Sequence, residues 1–536
     1  MTRRWLFTLP VLVVAGIGFV ALRSGGGNSG STVPKLVDET ATAGIDHVYD
    51  GEFEFFVGGG VATFDCNDDG RPELFFAGGA NKSSLYVNRS ATGGALSFET
   101  TTSPVTNLEF VTGAYPLDID NDEVTDLVVL RRGGNAVLRG LGNCGFADAT
   151  QDLGIDAGKA WTTAFSATWE SNAELPTLAF GNYLIPDTYD CDASSLLRPN
   201  GNVYSAPVDL PGHCTLSMLF SDWNRDGGVD LRVSNDRNYD RNAREQLWHI
   251  RPGKEPREYT TADGWRDLVI WGMGIASHDL TGDGKPDVYL TSQADNKLQT
   301  LDTDSTGPAY RDIALERGVI AQRPYVGDEI LPSTAWHPEF DDVNNDGLID
   351  LFVTKGNVDA QIDYAKFDPN NLLLGNSDGT FTERGEEAGI ANGSRSRGAA
   401  LVDLNLDGLL DLVVVNRRVA VEVRRNVGTG TPEKPTLMGN WLAVQLHQPA
   451  PNVDAIGAWI DIRVNGRTTT REVTVGGGHV SGDLGWIHFG LGDAATADIR
   501  VTFPGSAAGD WMTVDANGLY EITRGDGAPK RWTPQN

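Results

Sequence analysis

Six segments of nine residues share one pattern, and that pattern limits what the chain can become. DVNNDGLID, from Asp342 to Asp350, puts oxygen-bearing side chains at alternate places: Asp342, Asn344 and Asp346. Gly347 and the closing acid Asp350 follow. The others are DCNDDGRPE (Asp65, Asn67, Asp69, Glu73), DIDNDEVTD (Asp118, Asp120, Asp122, Asp126), DWNRDGGVD (Asp222, Asn224, Asp226, Asp230), DLTGDGKPD (Asp279, Thr281, Asp283, Asp287) and DLNLDGLLD (Asp403, Asn405, Asp407, Asp411). Alternate placement turns three side chains toward one point, and the glycine allows a sharp bend at no steric cost. Carboxylates so placed repel one another unless a cation sits among them. A hard cation such as calcium takes six to eight oxygens and tolerates uneven geometry. One such segment alone reads equally well as a solvated Asp/Asn-Gly turn, but six in register do not. The residues named are therefore the candidate metal ligands. Glu123 replaces the glycine of the second loop, so looser binding or a different turn is expected there.

The first half of each loop matches an EF-hand loop, but the acidic closer comes at position nine instead of twelve. The surroundings are also different. Each loop follows a strand of small residues (GGGVATFD, GAYPLDID, GMGIASHD, RGAALVDL) and precedes an apolar strand (ELFFAGG, DLVVLRR, DLFVTKG, DLVVVNR). A third strand often follows, as in SSLYVN or NLLLGN. A fourth segment comes after it in FADATQDLGI, YRDIALERGV and FTERGEEAGI. Four short strands per unit describe a propeller blade. The first aspartates stand at 65, 118, 222, 279, 342 and 403, so one step is twice the length of its neighbour. The hidden unit is AFSATWESNAELPTLAFGNY, with Trp169, Ser171, Ala173 and Thr177 at the ligand places. Seven units result. The seventh lacks a fourth strand, and a matching segment, LVDETATAGI, stands before the first unit. It is expected to pair with the seventh blade and close the ring, which removes exposed strand edges.

The fold class expected is all-β: a seven-bladed β-propeller with calcium loops over residues 31–430, and a small C-terminal antiparallel β domain over 438–524. A tail of 525–536 follows. Three segments exceed the blade minimum: Leu184 to Leu216, Gln322 to Pro338, and Asn357 to Asn370. They carry Tyr189, Tyr204, Tyr325, Trp336, His337 and Tyr364. Long loops on a rigid scaffold are where binding often lives.

The net charge of −30 argues against nucleic acid and anionic membrane as partners. About six divalent ions would offset 12 of those charges. The first 30 residues hold Arg3 and Arg4, an uncharged run from Trp5 to Leu22, and a Gly/Ser linker. They read as a signal peptide or N-terminal anchor. Export with the segment retained is favoured slightly over cleavage, and the Sec and twin-arginine routes both stay open. The destination expected is periplasmic or extracellular. Four cysteines agree with an oxidising compartment. Cys191 with Cys214 is the first pairing expected, and Cys66 with Cys144 the remainder.

Beyond the linker at Thr429 to Lys434 the pattern changes to alternating runs such as NWLAVQLHQ and AIGAWIDIRV. The repeats resemble the FG-GAP/VCBS type of the α-integrin head. The C-terminal part resembles the ASPIC/UnbV domain through Asn440-Trp441-Leu442, Asp454 to Ala458 (DAIGA), Arg471-Glu472-Val473, Gly476 to Gly478, Phe489 to Gly492 (FGLG) and Phe503-Pro504-Gly505. Together they resemble a bacterial member of the cartilage acidic protein family. Phe503 departs from the tryptophan usual there. The resemblance implies an extracellular calcium-binding protein linked to adhesion, without established catalysis.

Three functions are carried forward. The first is a non-catalytic, exported, calcium-binding scaffold that presents loops to a glycan or protein at the cell surface. The second is a calcium-dependent polysaccharide lyase, with His337, His213, Arg323 and Lys366 as candidate groups. The third is a subunit of a cell-envelope complex, docked through the C-terminal domain. No GxSxG, HExxH or P-loop stands in a convincing context.

Overall fold

The computed structural model describes residues 31–536 apart from 157, 172, 303–304, 306, 321–333, 359–366 and 535–536. The N-terminal segment and Arg323, Tyr325, Tyr364 and Lys366 lie outside the described residues. The described chain is all-β and propeller-like, with seven four-stranded units in succession. Their first strands are Val61–Phe64, Val111–Leu117, Thr162–Thr168, Thr215–Ser221, Gly272–His278, Ala335–Asp341 and Ser396–Val402. Each packs beside the first strand of the next unit, and the seventh packs beside the first. These strands are buried nearly throughout. That is why they carry small residues such as Gly113, Ala114, Gly274 and Ala399, which let seven backbones crowd around one axis. The second strands, from Glu73–Phe76 to Asp411–Asn416, pair antiparallel with the first.

The N-terminal strand pairs with the seventh unit, where it was expected. Leu36–Asp38 pairs antiparallel with Glu422–Asn426, placing Leu36 opposite Asn426. Just beyond, Glu39 and Arg425 form a buried ion pair at 2.8 Å. The hidden third unit is also present, with Thr162–Thr168 paired to Thr177–Asn182.

Several local expectations change. Tyr310 to Val319 is not one strand: after Tyr310–Asp312 comes a helical turn, Ala314–Arg317, ended by Gly318 at φ 76°. Gly389 ends a second such turn, Gly385–Ala388, in the same way. A left-handed glycine is a common helix terminator. Leu184 to Leu216 is not one long loop, because Ser194–Leu197 and Val208–Leu210 complete the third unit. Its first ten residues form a loop tied by Cys191–Cys214, and shorter turns at 201–202, 205–207 and 211–214 separate the strands. Trp336 and His337 are buried on a first strand, not on a loop.

The C-terminal domain is two four-stranded sheets packed face to face around Leu442, Val444, Ile460, Phe489 and Ile499. It is not purely antiparallel, because Asn440–His447 runs parallel to Gly518–Thr523. A crossover through the second sheet separates the two strands, and a crossover permits parallel pairing. The last strand, Lys530–Trp532, lies in the segment expected as a tail.

Candidate metal centres and the face that carries them

All six acidic loops join the first strand of a unit to its second, so they share one end of the ring. Each is built the same way. The leading aspartate accepts the backbone N–H five residues on: Gly70 to Asp65 Oδ2 at 2.5 Å, Gly347 to Asp342 Oδ2 at 2.7 Å, Gly408 to Asp403 Oδ2 at 2.7 Å. The third ligand position accepts the N–H two places on, as Asp346 Oδ1 does from Leu348 N at 2.9 Å. Gly70, Gly227, Gly284, Gly347 and Gly408 all take φ between 77° and 83°. Glu123 takes φ 66°, so the second loop keeps the bend and bears its strain instead of adopting another turn.

The closing acid is the first residue of the second strand. Asp350 is fully buried and accepts Val343 N at 3.0 Å and Gly375 N at 2.8 Å, which leaves one lone pair on each oxygen. Burial and the neighbouring carboxylates push Asp342, Asp350 and Asp411 well above the usual carboxylate range. Burial likewise pushes Glu73 and Asp126 up to about 8, and Asp403 up to about 8. Such a donor set, all oxygen and short of positive charge, fits a divalent hard cation. Asp118, Asp120 and Asp126 bring oxygens within 4.8 Å of one another.

Two loops fit less well. In the second, Arg139 Nε holds Asp120 Oδ2 at 2.5 Å, so a guanidinium already supplies charge. In the loop of the fourth unit, Asp230 accepts Trp223 Nε1 at 2.7 Å, Tyr259 OH at 2.8 Å and Arg251 Nη1 at 2.7 Å. These donors make it the poorest of the six closers.

The C-terminal domain sits on this face. Trp486 Nε1 donates to Gly70 O at 3.1 Å, Asn452 N to Asn121 Oδ1 at 2.7 Å, and Arg467 Nη1 to Gly347 O at 3.1 Å. Glu472 accepts Asp222 N at 2.9 Å and Ser221 Oγ at 2.6 Å. The Trp441 ring lies so close to Gly408 that a methyl group there would come within 1.9 Å. Residues 475–483 enter the ring itself. Val475, Gly476, Gly478 and Ser481 bridge to Ala167, Leu219, Ile275 and Ala114, and Gly482–Asp483 pairs with Val61–Phe64. At the centre His479 donates its N–H to His337 Nδ1 at 3.0 Å, and its Nε2 accepts Gly58 N at 3.3 Å. Burial, then the Arg397 guanidinium, lowers the His479 imidazole to about 3, so it stands neutral in the channel.

The FG-GAP-like repeat family matches residues 65–129 and 342–414, and the ASPIC and UnbV family matches 448–529. The chain carries FG-GAP-like repeats and a C-terminal ASPIC/UnbV domain. The comparison with curated proteins finds no match. Among solved structures, BBS1N in complex with ARL6DN, soaked with lead, is 11% identical over 75% of this chain and 99% of that one, with a TM-score of 0.43. An Agrocybe aegerita lectin, described for specific recognition of non-reducing terminal N-acetylglucosamine, is 15% identical over 66% of this chain and 88% of that one, with a TM-score of 0.37. Overlaps this low settle neither fold detail nor ligand.

Of the other candidate groups, His337 is buried between the FG-GAP ring and the ASPIC/UnbV plug, and His213 Nδ1 lies 2.8 Å from Asp240. Tyr189, half exposed, stands with Phe53 at the opposite end of the ring. Asp454, which accepts Asp118 N at 3.4 Å, Glu472 and His479 partner the ring without any local pattern of their own to mark them. The glycine run at 476–478 was the only local signal, and it could not say what it enters.

Proposed function

We propose that this FG-GAP and ASPIC/UnbV protein is an exported, calcium-binding, seven-bladed β-propeller that acts as a non-catalytic binding scaffold. The observation that carries this reading is the shared hydrogen-bond frame of the six loops, each holding buried or half-buried carboxylates, which in four of the six pair with no arginine among the described residues. Calcium there ties consecutive strands of one blade together and serves as structure. Two disulfides, Cys66–Cys144 and Cys191–Cys214, support an oxidising, exported setting. The ASPIC/UnbV domain covers much of the loop face, and the surfaces left to meet a glycan or protein include the opposite end, where Phe53 and Tyr189 are exposed. Elemental analysis of the purified protein, followed by a glycan array with product analysis, tests both halves. Calcium near six per chain and ligands released unchanged are expected. Calcium-free folded protein refutes the metal reading, and shortened or unsaturated sugar products refute the non-catalytic one.

A further inference from the structure

The third blade is the one whose loop has lost its acidic ligands, and the structure shows what replaced them. Trp169 follows the first strand where Asp118 and Asp222 stand in the neighbouring blades. It lines a cleft of about 850 Å³ between the ring and the ASPIC/UnbV domain. That volume falls within the range of small-ligand sites, which favour domain interfaces. Trp169 is half-buried and its indole N–H has no partner. Phe503 faces the same cleft, with the Arg524 guanidinium 6.0 Å from its ring centre. Arg225 stacks on Trp459 at 4.4 Å and donates Nη1 to Gly284 O.

The charges around the cleft sort themselves. Glu170 is held by Arg198 at 2.6 Å, and Arg251 by Asp230 at 2.7 Å. Asp222 and Asp226 belong to the acidic loop of the fourth unit, where an ion would offset them. Arg225 Nη1 also lies 4.0 Å from Asp461, a carboxylate that Arg500 holds at 2.6 Å, so the charge of Arg225 is only partly offset, and Arg225 and Arg524 set the character of the cleft. The walls are turns at 169–171, 225–229, 449–452 and 503–506, with no strand edge for an extended peptide to pair with. Aromatic surface beside guanidinium groups suits a flat sugar ring that carries a negative charge.

We infer that this cleft binds an anionic oligosaccharide, with the sugar ring against Trp169 and Phe503 and its carboxylate or sulfate on Arg225 and Arg524. The inference rests on the binding-scaffold reading above and names its ligand class. The test is calorimetry on the full chain in calcium, with oligogalacturonate, a chondroitin sulfate oligosaccharide, a neutral cello-oligosaccharide and a poly-glutamate peptide as probes. One or both anionic sugars are expected to bind, distinguishing carboxylate from sulfate. Arg524→Gln and Trp169→Ala should each weaken that binding at least tenfold, with Leu315→Ala, exposed and outside the cleft, unchanged. Arg524 is exposed, so its variant reports on the ligand even if Trp169→Ala disturbs folding. Equal affinity for the neutral sugar, preference for poly-glutamate, or full retention by the Arg524 variant overturns the cleft. If anionic sugar binding is lost only in Tyr189→Ala, the scaffold reading stands and the cleft falls. If a glycan array and protein capture also find nothing held by the wild type, both fall.

Discussion

Adding one methyl group to the ring at Gly60 is expected to unseat the ASPIC/UnbV domain. A Cβ at Gly60 would lie 1.8 Å from Val480 O, 2.6 Å from Val480 C and 3.0 Å from Gly113 Cα. The closest of these is about 1.6 Å short of the 3.4 Å at which ordinary contact begins. All three atoms are backbone, so no rotamer change relieves the clash. Gly60 has no positive φ, so alanine there adds the clash without backbone strain. Overpacking a core with a methyl costs about 1–3 kcal/mol when side chains can yield. Here the plug must move, breaking Val61 N to Ser481 Oγ, His479 N to His337 Nδ1 and Gly58 N to His479 Nε2. At about 1 kcal/mol net for each bond, the total is about 4–6 kcal/mol. The assay is a thermal melt with limited proteolysis by a broad-specificity protease. Gly60→Ala should melt lower and become cleavable at the linker around 431–434. Gly527→Ala, which has open space around it, should match the wild type. If Gly60→Ala melts with the wild type and its linker stays equally resistant, the plug is not seated in the ring and the reasoning fails.

Calcium removal by a chelator should lower the melting temperature, since each site at 100 times its Kd contributes about 2.7 kcal/mol. Asp346→Ala should cost more than Asp122→Ala in calcium melts, because Asp346 is half-buried beside buried Asp342 and Asn344, while Asp122 is exposed in a loop that already holds Arg139; equal losses would count against the structural role of the ion. Replacing Cys66 and Cys144 by serine opens a crosslink spanning 78 residues and should cost about 4.5 kcal/mol, against about 3.4 kcal/mol for the Cys191–Cys214 pair spanning 23, as measured by denaturant unfolding. Arg471→Ala leaves buried Asp341 without its partner at 2.7 Å and should destabilise by about 3 kcal/mol, with the double variant Arg471→Met, Asp341→Leu recovering much of that loss.

Much of the ring was legible because its information is local. Alternating oxygen side chains and a glycine define each loop within nine residues, and strand alternation defines its flanks. The closure strand was legible for the same reason, since LVDETATAGI repeats a fourth-strand pattern. The helical turns after Tyr310–Asp312 and Phe381–Glu383 were missed because four residues are too few to show a helical period. Trp336 and His337 were read as loop because the length of the connection was visible but the start of the first strand was not. Asp230 carries the right residue at the right spacing, yet its oxygens go to Trp223, Tyr259 and Arg251, donors that the nine-residue pattern does not contain.

By itself the sequence determined that this chain repeats a unit of short strands and crowds acid into six turns. Each of these follows from side chains a few residues apart or from a period in the chain. Only the tertiary structure decided that the six turns lie under the C-terminal domain, that Gly476 to Asp483 fill the centre of the ring, and that Trp169 opens onto a cleft. Those contacts join residues up to about 420 positions apart, such as Gly58 and His479, and no spacing rule connects groups that meet only after both domains have folded.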